Sequence, residues 1–303
     1  MEVKVKILAS DSMGVRSMAT VVCAGGVKIF IDPGVSFAPR RYGLPPHELE
    51  LKRLEEVKER IISELSDTDI VVITHYHYDH YLYKPEDVEH YRGKWLMVKD
   101  PHNMINASQK IRAHRFLKTN KVREIASQVD VIDSREYRVY EGVIIRGSKP
   151  VPHGGDSRLG YVVMVLVECC GVRFVHASDV QGPISEDALR ILLDWRPDVL
   201  FISGPPTYFE GYKVDRDTVR KGFENLKRLA KELAGSAIIV ADHHFARDLN
   251  YPQLISAIQS ETGATVISAA EFMGVKFEPL EALRRELWGR GGGEKTFNSD
   301  RAS

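Results

Sequence analysis

Three imidazoles and a carboxylate fall within six positions of the string Thr74-His75-Tyr76-His77-Tyr78-Asp79-His80. Neutral imidazole and carboxylate are the usual ligands of Zn, Fe, Mn and Co, so the chemistry these residues suggest is metal chemistry. In extended chain, residues two apart share a face, and His75 and His77 can therefore grip one ion together. A turn at Tyr78 would aim Asp79 and His80 elsewhere, toward a second ion. Other polar residues end apolar runs in the same way: Asp32 after Val27–Ile31, His153 after Val151-Pro152, Asp179 after Phe174-Val175-His176-Ala177-Ser178, and His243-His244 after Ala237–Asp242. His243 and His244 point to opposite faces of an extended strand. Only one should therefore enter a common site; His243, nearer the strand end, is the expected one and His244 the alternative.

The elements that must position these residues are legible as patterns. Asp69–Ile73, ahead of the histidines, is a β-branched apolar run that reads as a buried strand. Met18–Cys23 and Val27–Ile31 flank Ala24-Gly25-Gly26, a hairpin signal. Pro45-Pro46 is expected to open a helix whose Leu54, Val57, Ile61 and Leu65 recur at spacings of three and four. Lys94–Lys99 reads as a strand, Asn103–Leu117 as a helix, and residues 129–148 as strands broken by Gly142. Tyr161–Val167, Val172–His176, Val199–Ser203 and Ala237–Ala241 read as strands. They alternate with helices over Ser185–Trp195, Asp215–Ala234, Pro252–Thr262 and Ala269–Trp288. Alternating strands and helices with apolar strand runs predict an α/β fold in which helices cover the sheets.

The pattern His75-x-His77-x-Asp79-His80 at a strand end, with Asp32 before it and the later His and Asp candidates after it, resembles the metallo-β-lactamase superfamily of hydrolases over roughly residues 1–270. Gly14–Thr20 and Arg40–Pro46 further resemble an archaeal branch of that superfamily. The resemblance implies a four-layer αββα sandwich, a single domain over 1–288 with two halves meeting near residue 150; the four glycines and polar residues of 289–303 read as a flexible tail. It implies a binuclear centre, with His75, His77 and His153 at one ion and Asp79, His80 and a late histidine at the other. Asp179 would bridge them, and Asp79 and Asp179 would be the carboxylates of the catalytic centre. Asp32 would orient ligands without touching metal. Two cations about 3.5–4 Å apart would share an activated hydroxide. The loop Asp11–Ser17 overhangs the site in this superfamily, so Arg16 could clamp a phosphate or carboxylate with its planar fork, with Ser17 beside it. Arg40 and Arg41 could act likewise, Tyr208 could donate to substrate, and Asn106, Gln109 and Arg112 could line the cleft.

Composition narrows the function. Lys plus Arg equals Asp plus Glu at 42 each, and no basic tract is present, which argues against a nucleic-acid partner. No apolar run approaches the roughly 20 residues that span a bilayer. Cys23, Cys169 and Cys170 are too few and too close for a disulfide framework and read as packing residues of a cytoplasmic protein. The expected protein is thus a metal-dependent hydrolase of a small anionic ester, such as a phosphoester or lactone phosphate. Zn is the default for its two divalent ions, and the donors also suit Mn or Fe. A lactonase or thioesterase is the nearest rival. An iron-containing redox protein of the same fold and a nuclease are the alternatives of other classes.

Overall fold

Strand residues alternate between two faces, and that alternation sorts the apolar side chains of this chain into layers. The computed structural model describes residues 2–140 and 142–290. The first sheet takes β1 (Lys4–Ile7), β2 (Thr20–Ala24), β3 (Val27–Ile31), β4 (Ile70–Ile73), β5 (Trp95–Val98) and β6 (Gln128–Val131) in that spatial order. Its first three strands pair antiparallel and the rest parallel. The helix α1 (Glu48–Ser66) connects β3 to β4. Between β5 and β6 lie α2 (Ala107–His114), a π-helical turn over Arg115–Thr119, and α3 (Val122–Ile125).

The second sheet begins with β7 (Glu136–Val139) and β8 (Val143–Gly147). A two-stranded ribbon of β9 (Val151–Pro152) and β10 (Tyr161–Val162) interrupts it. It resumes with β11 (Val165–Cys169), β12 (Val172–His176), β13 (Val199–Ile202), β14 (Ile238–Ala241) and β15 (Thr265–Ile267), in the order β15-β14-β13-β12-β11-β8-β7. β12 to β15 run parallel. In chain order, the outer helices are α4 (Glu186–Trp195), α5 (Arg216–Leu233) and α6 (Tyr251–Thr262); α7 (Ala269–Phe272) and α8 (Arg284–Arg290) follow.

Three apolar clusters correspond to the three interfaces of the αββα sandwich. Ile70 and Val72 of β4 join Phe174 of β12, Phe201 of β13 and Val240 of β14 between the sheets. Their neighbours Val71 and Ile73 face outward onto Val57 and Ile61 of α1. On the far side, Leu200 and Ile239 meet Leu192 of α4, Leu226 of α5 and Ile258 of α6. Phe201 is fully buried, and Phe201→Ala should cost about 3–5 kcal/mol through lost transfer energy and a cavity.

Several boundaries differ from the sequence reading for local reasons. Pro45-Pro46 precede α1 without opening it. His47 is the N-cap, its Nδ1 accepting from the Leu49 amide at 3.3 Å while Glu50 accepts from the His47 amide at 3.1 Å. The single helix expected over Ala269–Trp288 is two short helices. Gly274, at φ 63°, ends the first region, and residues 273–283 cross back over the N-terminal loop, where the Glu278 amide donates to the Ser12 carbonyl at 2.8 Å. The chain leaves the first sheet at Val131 and enters the second at Glu136, ahead of the junction expected near 150. Cys169 is buried, but Cys23 and Cys170 are exposed and do not serve the core. Gly289 and Arg290, expected in the tail, belong to α8, and the remainder of that tail lies outside the described residues. No helix among the described residues is long and apolar enough to cross a membrane.

Candidate metal centre

β3, β4, β12 and β14 all end at one edge of the sandwich; β3 passes directly into Asp32, β4 into Thr74 and β14 into Asp242, while β12 reaches Ser178 and Asp179 after Ala177. Loops at the carboxyl ends of parallel strands converge while the strands keep them rigid. Donor atoms of His75, His77, His153 and Asp179 lie within 4.8 Å of one another, as do those of Asp79, His80 and His243, and those of Asp179, His243 and His244. Asp179 sits at the centre. Its Oδ2 is 2.9 Å from His153 Nε2, 3.4 Å from His80 Nε2 and 3.5 Å from His244 Nε2, and its Oδ1 is 3.4 Å from His243 Nε2. The cluster meets solvent through His77, Asp79 and His244, which are partly exposed, while His75, His80 and His243 are fully buried.

The donor set fits divalent cations on this structure's own terms. The Nε2 atoms of His75 and His80, together with Asp179 Oδ1, are buried without a hydrogen-bond partner among the described residues. An unpartnered buried polar atom costs about 1–3 kcal/mol, and several converging on one point call for a ligand. Burial, with His80 and His77 nearby, holds the His75 imidazole well below its usual pKa. Burial and His153 bring His77 to about 3, and burial and Arg247 bring His244 to about 3. These rings are neutral. Burial also acts against the His80 imidazolium, but Asp32 and Asp179 outweigh it and raise its pKa. His243 is likewise raised to about 9, where Asp179 and Asp11 overcome burial. A cation would displace those two protons, as metal binding to a protonated ligand does.

Behind the motif lies a hydrogen-bond hub. Asp32, fully buried, accepts from the Thr74 amide at 2.8 Å, from the Thr74 hydroxyl at 2.6 Å and from His80 Nδ1 at 2.8 Å. The Thr74 oxygen in turn lies 3.2 Å from His75 Nδ1 and 2.7 Å from the Ser178 hydroxyl. One carboxylate thus fixes the proton of His80 directly and that of His75 through Thr74, leaving both Nε2 lone pairs facing the cluster. Asp32 and Ser178 have positive φ, 51° and 56°, where the chain turns sharply out of β3 and β12.

The late histidines correct the sequence reading. His244 has φ 68° and ψ −44°, so the chain is not extended there and both rings enter the site, 4.6 Å apart. Arg247 approaches both rings, its Nη2 lying 3.2 Å from each His243 nitrogen, but their closest partners differ. His243 Nδ1 lies 2.6 Å from Asp11 Oδ2, so that nitrogen keeps its proton, and it is the Nε2 proton, beside Asp79 and Asp179, that a cation would displace. His244 Nδ1 lies 3.1 Å from Arg247 Nη1, a group that can only donate. A neutral His244 therefore carries its proton on Nε2, pointing at Asp179. Arg247 is itself fixed by Asp11 at 2.6 Å and donates to the Tyr208 hydroxyl at 3.1 Å. Asp242, between strand and ligand, accepts from the Ser10 hydroxyl at 2.6 Å and from the Ser12 and Ala269 amides, which locks the Asp11 loop in place.

Two predicted substrate residues have other partners. Arg16 is held by Glu281, Nε to Oε2 at 2.6 Å and Nη2 to Oε1 at 2.7 Å, so its fork is already taken. Ser17 is fully buried and donates to the Gly34 carbonyl at 2.6 Å. Tyr208 does reach the cluster, its hydroxyl 3.3 Å from His244 Nδ1. Asn106 and Gln109 tie loops together in place of lining a cleft. Asn106 donates to the Arg158 carbonyl at 2.8 Å, and Gln109 accepts from the Tyr76 amide at 3.2 Å and donates to the Leu159 carbonyl at 2.7 Å. Arg112 donates to the Tyr76 carbonyl at 3.4 Å and lies over the Tyr78 ring. Asp11, Thr74, Ser178 and Arg247 were not singled out as site residues from the sequence. The polar string Ser10-Asp11-Ser12 was a visible signal, whereas Arg247 had none.

Comparison with known proteins agrees with this architecture. Residues 18–239 match a family described as a β-lactamase superfamily domain. A UPF0282 protein of Aeropyrum pernix is 47% identical over 292 residues, covering 94% of this chain and 98% of the relative. Among solved structures, unliganded yeast PDE1 superposes with a TM-score of 0.55 at 12% identity, covering 87% of this chain and 96% of that one. The metallo-β-lactamase fold protein YhfI of Bacillus subtilis gives 0.54 at 14% identity, covering 88% and 97%. The chain belongs to the metallo-β-lactamase superfamily, alongside the archaeal UPF0282 proteins.

Proposed function

We propose that this chain is a hydrolase that works with two divalent ions, Zn by default and Mn or Fe on the same donors, and acts on a small anionic ester such as a phosphoester or lactone phosphate. The observation that carries the reading is the convergence of unpartnered buried Nε2 and carboxylate oxygen atoms around Asp179. His75, His77 and His153 would hold one ion, Asp79, His80 and His243 the other, with Asp179 between them. Bound there, such ions would lower the pKa of water toward about 7 and offset negative charge developing on a substrate oxygen.

The protein's own groups prepare that chemistry. Asp32, Thr74 and Asp11 fix ring tautomers so that lone pairs face inward. His244 differs: its Nε2–H is a buried hydrogen-bond donor 3.5 Å from Asp179 Oδ2, which could hold a substrate oxygen brought up to Asp179. The preference for an anion rests on Arg41. It stacks on the Tyr42 and Tyr208 rings at 4.5 and 4.4 Å and has no carboxylate partner among the described residues, unlike Arg16 and Arg247.

The test is elemental analysis of purified protein, followed by a panel of phosphodiester, phosphomonoester, lactone and thioester substrates with Zn, Mn or Fe supplied. Metal-dependent turnover of the phosphorylated substrates is the expected result. Turnover confined to thioesters or neutral lactones would overturn the anionic assignment. Iron with optical bands and no hydrolysis would replace the hydrolase reading with redox chemistry.

A further inference from the structure

On the face of α2 opposite Gln109 lies a half-open cavity of 760 Å³. Ala107, Lys110, Ile111 and His114 face it at spacings of three, four and seven, one stripe of the helix. Its volume falls within the roughly 300–1,000 Å³ typical of small-molecule sites. Pro101, Ala107, Ile111 and Leu117 make an apolar floor, and Ile111 is 62% exposed there, an unusual position for a large aliphatic side chain.

Charge at the rim is one-sided. Lys110, Lys118 and Arg123 line the cavity, with Glu124 the lone carboxylate among its lining residues. None of the three cations is in an ion pair among the described residues, whereas the buried cations Lys99, Arg247 and Arg284 each have a carboxylate partner. Leu117 and Lys118 project from the π-helical turn Arg115–Thr119. Such turns are rare and recur at functional sites, because the extra residue per turn re-aims side chains.

We propose that this cavity binds a free single-chain amphiphile with an anionic head. The chain lies on the Ala107–Ile111–Leu117 floor, and the carboxylate or phosphate head sits among Lys110, Lys118 and Arg123. The apolar floor offers nothing for a polar chain to hydrogen-bond, and the unpaired cations select the sign of the head. The inference is independent of the hydrolase reading, since the cavity shares no lining residue with the metal centre.

Calorimetric titration of the full chain with decanoate and with decyl phosphate, below their micelle-forming concentrations, tests it. Saturable binding of one molecule per chain is expected, with decyltrimethylammonium at least tenfold weaker. Ile111→Glu should remove binding. The triple change Lys110→Gln, Lys118→Gln, Arg123→Gln should weaken it at least tenfold and gives a second variant on exposed side chains should the first not fold. His153→Ala should bind as the parent does. Equal binding of the cationic amphiphile, or indifference to both sets of cavity substitutions, would overturn the proposal. So would loss of binding in His153→Ala, which would move the carboxylate to the metal centre. A dimer in sedimentation that Ile111→Glu dissociates would assign the floor to a second copy of the chain and refute the amphiphile.

Discussion

The two sides of the metal centre are built by different means. On the first-sheet side, three imidazoles and a carboxylate come from six consecutive residues, and their orienting groups, Asp32 and Thr74, sit at the ends of the neighbouring parallel strands β3 and β4. On the second-sheet side, His243 and His244 depend on Asp11, more than 230 positions away, and on Arg247 and Tyr208. The first arrangement is set by adjacent strands and varies little unless the sheet itself changes. The second is a network spanning both ends of the chain, where neighbouring histidines acquire opposite tautomers from their partners. Adjacent residues of one type therefore need not share a role, because the second nitrogen of each ring decides what the first can do.

The largest effects should come from the motif side. Protein prepared with excess metal should retain close to two ions per chain, and His77→Ala should lose at least one, with turnover falling about 10²-fold or more. Stoichiometry that stays at trace levels in supplemented wild type would break the comparison at its root. The late pair sharpens it. His243→Ala should lose the second ion and most turnover. His244→Ala should keep both ions and lose turnover only, and His244→Gln, which retains an N–H donor, should recover part of it. Metal loss in His244→Ala with retention in His243→Ala would reverse the tautomer assignment.

The orienting carboxylates give the next contrast. Asp32 serves two expected ligands, His80 directly and His75 through Thr74, whereas Asp11 serves one expected ligand, His243, directly and reaches only the donor His244 through Arg247. Asp32→Asn should weaken both ions by about 10–100-fold, and Asp11→Asn should weaken one by a similar factor. Competition titration with a chelator reads both. Equal loss of the two ions in Asp11→Asn would show that the sides are not separately supported.

How legible each side was follows from the same contrast. The motif and its strand follow local periodicity, which survives in a single sequence, while Asp32, His153 and Asp179 stand out only through the superfamily resemblance. Arg16 shows where that fails. Its loop and its planar fork suggested a substrate clamp, but its partner Glu281 lies 265 residues on, in a stretch that reads locally as one helix from Ala269 to Trp288. Nothing local distinguishes a free arginine from one whose carboxylate arrives from the other end of the chain. At His244 only the premise changes: φ is positive where extended chain is expected, so both rings enter the site, and His243 stays the proposed ligand. The pair changes what Arg16→Ala should do. It strands a largely buried Glu281 and should cost about 2 kcal/mol of stability, below the roughly 3–5 kcal/mol of fully buried pairs, because 23% of the arginine side chain remains exposed. Denaturant unfolding measures it, and an unchanged midpoint would mean the pair contributes nothing.

The smallest expected effect belongs to Arg41, and it tests whether the second-sheet side also selects substrate. Arg247 is neutralised by Asp11 and Arg16 by Glu281, while Arg41 carries a charge with no carboxylate beside it among the described residues. Its Nη2 donates to the Arg247 carbonyl at 3.2 Å, and its Nε is buried without a partner among the described residues. Stacking on Tyr42 and Tyr208 holds the guanidinium plane, so a fork is presented at little further cost in side-chain entropy. Arg41→Gln should raise KM for an anionic substrate about tenfold, roughly 1.4 kcal/mol, with kcat within about twofold and metal content unchanged. Arg41→Lys should recover little, because an ammonium keeps the charge but loses the fork and the planar stack. A neutral lactone provides the control, since an arginine that acts through charge should leave its KM alone. If KM rises equally for neutral and anionic substrates, Arg41 acts only by holding Tyr208 against His244, and substrate selection on this side passes to the His244 Nε2–H donor.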